Sequence, residues 1–423
     1  MLTIQNLELQ NFRGIRQMTL PFESSKTGSN LTVLAAVNGG GKTTIIDALA
    51  LSLSWLTART KRDTGNGQHF AEDDIRYGEN HIKLSVSTSA GRWLLAKSRK
   101  GVRDAQKSDY TELRDLADYL RGKLEHERSL PVFACYPVDR AVVLQKIPRR
   151  IRTKHDFNVI SVYDEPLKGS ADFKLFFEWF RDREDVENES FRNNDQTGYP
   201  DNQLQAVRNA LEQFLPEYRD LRVKRKPLLR MVVTKEGQEL KIDNLSTGET
   251  CFLALIGDIA RRLAIANPEK EDPLYGEGII LIDEIDLHLH PSWQRRVITR
   301  LTEVFPNVQF VVTTHSPQIL SEVRPESIRL LYSKDGAIHY AQPSQSYGLN
   351  SSQVLRELMD DPGMNKDVSA QLDTIAERID QDDFDGARTL IEQLKIKLNG
   401  SIPDLVEAEA TIAMLEPHNG MQE

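Results

Sequence analysis

The chain has 423 residues, 39% of them hydrophobic and 28% charged, which allows two or three domains and excludes wholesale disorder. Its net charge of −9 argues against a protein that coats nucleic acid through bulk charge. No apolar run approaches the ~20 residues that a membrane-spanning helix needs.

Residues 2–10 alternate as a strand does, and 17–22 read as its hairpin partner after the turn-like Asn11-Phe12-Arg13-Gly14. Residues 31–37 are continuously apolar, the mark of a strand buried on both faces, and lead through three glycines into a helix predicted over 43–56. Further strands are predicted at 82–87 and 92–97. The stretch 109–221 reads as mostly helical, with amphipathic segments at 171–183 and 204–214 and a loop over 188–201, rich in Asn, Asp, Gly and Pro. A hairpin over 228–234 and 239–242 turns at Lys235-Glu236-Gly237. After it come a helix (248–266), a buried strand (278–282), a helix (293–303) and a second buried strand (308–313). Strands separated by helices in this way predict an α/β sheet. From residue 351 the tail reads as helical and acidic, and neither repeats nor low-complexity segments occur. The two cysteines, Cys135 and Cys251, have no metal-like or redox-like spacing, and the N-terminus reads as a strand and not as a signal peptide. A reduced, cytoplasmic setting is the expectation.

Four motifs carry chemistry. Asn38-Gly39-Gly40-Gly41-Lys42-Thr43-Thr44 lies between a buried strand and a helix. Glycines there let backbone N–H groups wrap phosphate oxygens, and the helix N-terminus adds its positive end. Lys42 is expected to reach the β- and γ-phosphates of ATP and Thr43 to hold Mg²⁺. Ala36 stands where the full pattern has a glycine, which takes some freedom from the turn. The strand over 279–282 delivers Asp283 and Glu284 to its carboxyl end. Asp283 suits a Mg²⁺-water ligand, and Glu284 suits the group that orients or deprotonates an attacking water.

Leu245-Ser246-Thr247-Gly248-Glu249 opens a helix. By itself it reads as a capping box of Ser246 with Glu249, and the same geometry can bind a γ-phosphate. In Thr313-Thr314-His315-Ser316-Pro317, the histidine after a buried strand could hydrogen-bond that phosphate and report its presence. His288 and His290 form a His-x-His pair without a visible third zinc ligand. Two basic clusters read either as solvated faces or as a nucleic-acid groove. One is Arg140, Lys146, Arg149, Arg150, Arg152 and Lys154; the other is Arg219, Arg222, Lys224, Arg225, Lys226 and Arg230.

With these four motifs in this order, and with Leu7-Glu8-Leu9-Gln10-Asn11-Phe12-Arg13-Gly14 at the start, the chain from Leu2 to Tyr347 resembles the ABC-type ATPases of the RecF, OLD and SMC group. Glu284-Ile285-Asp286-Leu287-His288-Leu289-His290-Pro291 looks like that group's D-loop, though no glutamine can be placed as its Q-loop. The resemblance implies an α/β ATPase head: a mixed sheet around a P-loop helix plus antiparallel strands, with a helical insertion and a helical C-terminal extension. The expected division is 1–108, 109–227, 228–347 and 348–423. It further implies a head-to-tail dimer in which Ser246 and Gly248 of one copy, with Glu249 in the same turn, cover the ATP on the other copy's P-loop. Asp286 would lie at the dimer seam and Arg13 near the nucleotide.

The span between the P-loop at Asn38–Thr44 and the group's signature motif, which Leu245–Glu249 resembles, is too short for SMC coiled coils, and nothing after Tyr347 resembles the metal-binding acids of a Toprim nuclease. Asp380-Gln381-Asp382-Asp383-Phe384-Asp385-Gly386 fails as a Ca²⁺ loop, because Phe384 and Ile391 occupy ligand positions; an acidic helix start fits better. Phe70-Ala71-Glu72-Asp73-Asp74-Ile75-Arg76, the stretch Pro131-Val132-Phe133-Ala134-Cys135-Tyr136-Pro137-Val138-Asp139-Arg140 and the tail over 384–416 look like a branch of stand-alone bacterial ATPases. That branch includes the ATPase subunit of Septu-type anti-phage systems, whose partner is an HNH nuclease. The picture implied is an ATPase that assembles as a dimer or higher oligomer, meets DNA through the complex and gates a separate nuclease, having no nuclease site itself. Its tail is expected either to dock that partner or further copies, or simply to pack. Two alternatives differ in class: a RecF-like repair ATPase that clamps DNA directly, and the motor of a membrane transporter. Asn-Phe-Arg-Gly and the Ser-Pro after His315 count against the last.

Overall fold

The computed structural model describes residues 1–22, 30–36, 39–103, 105–138, 158–164, 167, 173–193, 200–361 and 363–416. Its compact units are Met1–Gly348 and Leu349–Glu423.

A six-stranded sheet organises the first unit, in the order β13 (Ala337–Ala341), β12 (Ile328–Lys334), β3 (Leu31–Ala36), β11 (Val308–Thr314), β10 (Gly278–Ile282) and β6 (Val132–Tyr136). All neighbours are parallel except β12 with β13. Every residue of β3, β6, β10 and β11 is buried, as expected where helices cover both faces of a parallel sheet. The carboxyl ends of β3, β10 and β11 lie side by side, and ligands of open α/β sheets bind at such ends.

The antiparallel sheet β2 (Ile15–Pro21), β1 (Ile4–Phe12), β4 (His81–Thr88) and β5 (Gly91–Ser98) is tied to the main one by Gln309 of β11. Its side-chain amide meets both the N–H and the carbonyl of Ile4, at 2.7 and 2.9 Å. A third sheet joins β7 (Tyr218–Lys224), β8 (Arg230–Lys235) and β9 (Gln238–Lys241). Between β8 and β9, Glu236 and Gly237 both take positive φ, the two-residue turn that suits strand twist.

Helices α1 (Lys42–Lys61), α2 (Thr111–Glu127), α3 (Phe173–Asn193), α4 (Asn202–Phe214), α5 (Thr247–Ala266), α6 (Pro291–Val304) and α7 (Pro317–Leu320) also belong to this unit. Two expectations are corrected. The stretch expected to be mostly helical also supplies β6, an edge of the main sheet, and β7 of the third sheet. Strands from three of the four expected segments therefore share one sheet. Within the expected loop over 188–201, α3 continues to Asn193, since the loop's glycine and proline, Gly198 and Pro200, lie beyond that point.

A buried polar cluster locks β6 to α5. Asp258 accepts hydrogen bonds from Tyr136 Oη at 2.9 Å, from Arg261 at 2.6 and 2.9 Å and from Arg262 Nε at 2.8 Å. Burial pushes the carboxyl up, but Arg262 and Arg261 outweigh it and hold Asp258 well below the usual range.

The second unit comprises α8 (Ser351–Leu358), α9 (Lys366–Asp380), α10 (Phe384–Leu398) and α11 (Pro403–Leu415). Its own core contains Ile375, Ile379, Ala387, Ile391, Leu394, Leu405 and Ile412. Asp383 caps α10 by accepting from the Gly386 N–H at 3.1 Å, so the acidic stretch there is a helix start.

Candidate functional site

The phosphate-type turn is built on β3 and α1. Gly39 and Gly41 have φ of 80° and 87°, the left-handed region that favours glycine. At Gly41 a Cβ would also come within 2.6 Å of Ile338 Cδ1. Gly40 follows in the same turn, and Thr43 and Thr44 lie in the first turn of α1. Asn38 lies outside the described residues. Ala36 is the last residue of β3, paired with Leu331 and outside the positive-φ region, so the lost glycine costs this backbone nothing. Its carbonyl accepts from Lys42 Nζ at 3.3 Å.

Lys42 is buried and lies 2.6 Å from His315 Nε2. Burial lowers the ammonium's pKa; Asp283, Glu284 and Asp286 oppose it without overcoming it. Burial and the neighbouring Lys42 likewise lower that of His315. The imidazole is therefore neutral at pH 7, with Nε2 accepting from Lys42 and the proton on Nδ1.

Asp283, just beyond β10, accepts from Thr43 Oγ1 at 2.8 Å and from Thr313 Oγ1 at 2.5 Å. Thr313 Oγ1 in turn accepts from the Glu284 N–H at 2.7 Å. Glu284 has φ of 47°, an uncommon conformation for a non-glycine residue and one that recurs at functional sites. Asp286 accepts from Thr314 Oγ1 at 2.6 Å and from the His315 N–H at 3.3 Å. Gln294 of α6 (Pro291–Val304) donates to the carbonyls of Asp286 and Leu289 at 3.4 and 3.0 Å and accepts from Ser316 Oγ at 2.7 Å. The sequence reading quoted Thr313, Thr314 and Ser316 beside His315 without giving them a role, and it overlooked Gln294. Two adjacent hydroxyls in a strand buried on both faces were the available signal, since buried hydroxyls need partners.

At the start of α5 the capping box forms. The Glu249 N–H donates to Ser246 Oγ at 3.3 Å, and the Ser246 N–H donates to Glu249 Oε2 at 2.8 Å. Glu249 Oε1 also accepts from Tyr218 Oη and, at 3.4 Å, from Lys235 Nζ. Burial alone would raise this carboxyl, but the bonds from Tyr218 and Ser246, with Lys235 nearby, bring it down to about 2. Both oxygens of Glu249 are thus engaged, Oε2 in the cap and Oε1 by Tyr218 and Lys235. The amides of Thr247 and Gly248 have no acceptor among the described residues, the usual state of a helix N-terminus. A Cβ on Gly248 would come 2.1 Å from the carbonyl of His288, so this turn presses against the Asp286–His290 stretch of its own chain. Among the described residues no hydrogen bond or ion pair joins residues 246–249 to residues 39–44.

Arg13 pairs with Asp74 at 2.9 Å and with Asp47 of α1 at 2.5 Å. His290 caps α6 by accepting from the Ser292 N–H at 3.3 Å. Among the described residues no three His, Cys, Asp or Glu side chains gather as a metal site. In the second basic cluster, Arg222 and Lys224 pair with Glu239, and Arg225 pairs with Glu184 and Asp185. The first cluster lies outside the described residues.

Fold and site together define an α/β ATPase head. The family described as "AAA domain, putative AbiEii toxin, Type IV TA system" matches residues 108–321, which include Ser246, Asp283, Glu284 and His315. The Retron Ec83 probable ATPase of Escherichia coli is 32% identical over 420 residues, 85% of this chain and 76% of that protein. The Retron Vc95 probable ATPase of Vibrio cholerae serotype O1 biovar El Tor is 30% identical, covering 83% of this chain and 78% of that one. The Septu protein PtuA of Bacillus thuringiensis is 24% identical over 86% of this chain and 85% of its own length. The chain belongs to this family of ATPases.

Proposed function

We propose that this chain is the ATP-binding and ATP-hydrolysing subunit of an anti-phage defence complex that gates a separate HNH-type nuclease. ATP would close two copies head to tail, and hydrolysis or nucleotide loss would reopen them. One observation carries the reading. Lys42, Thr43, Asp283 and His315 converge at the carboxyl ends of three neighbouring strands, joined by contacts of 2.6 and 2.8 Å, while the turn at Ser246 and Gly248 opens elsewhere with amides to spare. A site split in this way is completed by a second copy.

The Thr43 and Asp283 oxygens, 2.8 Å apart, form the hard oxygen pair that Mg²⁺ prefers, and they would hold it. Bound there, the ion would neutralise phosphate charge. Lys42 would exchange its bond to His315 Nε2 for one to the β- and γ-phosphates. Released from Lys42, His315 would shift its proton from Nδ1 to Nε2 and donate it in a hydrogen bond to the γ-phosphate. Glu284 would orient the attacking water and take its proton. The Ser246 hydroxyl and the Thr247 and Gly248 amides of the other copy would meet the γ-phosphate. Asp286, already bonded to Thr314 and His315, would connect the seam to the γ-phosphate sensor.

Retron and Septu names among the relatives support a defence role, and the nuclease partner comes from the resemblance to Septu ATPases. DNA would be met through the complex. Direct clamping by Arg222, Lys224 and Arg225 is disfavoured, because carboxylates of the same chain already occupy them. No helix of the described residues is long and apolar enough to cross a membrane, which is compatible with work in the cytoplasm. Glu284→Gln tests the proposal: light scattering is expected to show ATP-dependent self-association of a non-hydrolysing variant. A variant that binds ATP and stays a single copy would sink it.

A further inference from the structure

The turn at Ser246 is offered as an anion site, yet a carboxylate lies within it. Glu249 is the third helical residue of α5, and an uncompensated negative charge there would repel a triphosphate. The chain deals with this charge from outside the helix. Lys235, the last residue of β8, brings Nζ to 3.4 Å from Glu249 Oε1 and to 2.9 Å from Tyr218 Oη. Tyr218, the first residue of β7, donates its phenolic hydrogen to the same carboxylate oxygen and is itself buried. Lys235 also lies 4.6 Å from the Tyr218 ring centroid, so ammonium, ring and carboxylate form one compact triad. The other carboxylate oxygen is held by the Ser246 N–H at 2.8 Å.

We propose that Tyr218 and Lys235 are positioning residues for the signature turn: they lock Glu249 into its cap and offset its charge, so that the amides beside it can donate to a phosphate. The His288 carbonyl abuts Gly248 in the same turn. The first turn of α5 thus meets the β7–β8 sheet through Glu249 and the Asp286–His290 stretch through Gly248. The inference rests on the reading that this turn covers the ATP of another copy. It adds two residues from a different sheet whose contribution is electrostatic as well as mechanical.

The test uses the full chain in the Glu284→Gln background, with ATP-dependent self-association read by light scattering. Binding of a fluorescent ATP analogue to the single copy, together with melting temperature, serves as a second readout. Lys235→Met is expected to demand about tenfold more protein for half-association, the effect of ~1.4 kcal/mol. Tyr218→Phe should shift it in the same direction, and neither should alter analogue binding. Adding Glu249→Gln to Lys235→Met is expected to restore most of the loss, because Gln keeps the cap and removes the charge. If both single variants associate normally, or if Glu249→Gln restores nothing, the triad is only structural and the inference falls while the head-to-tail reading stands. Weakened analogue binding by the single copy would overturn it as well. If Glu284→Gln alone binds ATP and never associates, the head-to-tail reading fails and takes this inference with it.

Discussion

Lys42 and His315 touch each other across the crevice, each made less basic by burial and, for His315, by its neighbour's charge. An ammonium held this way is poised to leave for a phosphate, which offers full negative charge in place of a neutral ring nitrogen. Lys42→Ala is therefore expected to weaken nucleotide binding at least about tenfold, on the ~1.5–3 kcal/mol of a hydrogen bond to a charged group. Isothermal titration with ATP checks this, and retained affinity would contradict it. Glu249 gives a pH test. Its carboxyl lies at about 2 in the folded chain, against an ordinary 4.5. A depressed carboxyl stabilises the fold above its unfolded value and loses that contribution as pH falls through the folded one. The melting-temperature gap between the native chain and Glu249→Gln should be full at pH 7, narrow below 4.5 and close near 2.

Among the elements, β6 and α5 show how a polar contact can fix a fold. Asp258 is buried with Tyr136, Arg261 and Arg262 around it, and removing its charge leaves two buried guanidiniums short of a partner. Breaking such a group typically destabilises by ~3–5 kcal/mol. Asp258→Asn should accordingly lower the chemical-denaturation midpoint sharply, and a small change would show that the arginines find other acceptors. Because α5 carries Ser246 at its exposed end and Asp258 in its buried middle, the same helix serves both the core and the surface turn.

Over the whole molecule, acidity is unevenly placed. Residues 349–423 hold 16 of the chain's 63 acids but 6 of its 54 bases, so that unit repels nucleic acid while the rest is close to neutral. Its core of Ile375, Ile391, Leu394, Leu405 and Ile412 is its own, and every residue assigned to the nucleotide belongs to the first unit. A chain ending at Gly348 is expected to bind ATP with unchanged affinity, measured by the same titration; a large loss would show that the second unit supports the site.

By itself the sequence determined the local chemistry. A buried apolar strand, glycines that must turn left-handed, Asp-Glu at a strand end and Ser with Glu three residues on are short-range patterns, and each became the expected element. Tertiary structure alone decided the rest. Val132–Tyr136 is a short apolar run, which periodicity alone does not distinguish from a piece of buried helix, and pairing with β10 makes it a strand. Ala36 looked like a defect until its backbone proved to be strand rather than turn. The partners of Glu249 lie 31 and 14 residues away, on strands that meet it only after the third sheet docks. Spacing along the chain encodes hydrogen bonds within a turn of helix; it does not encode which distant charge will settle beside them.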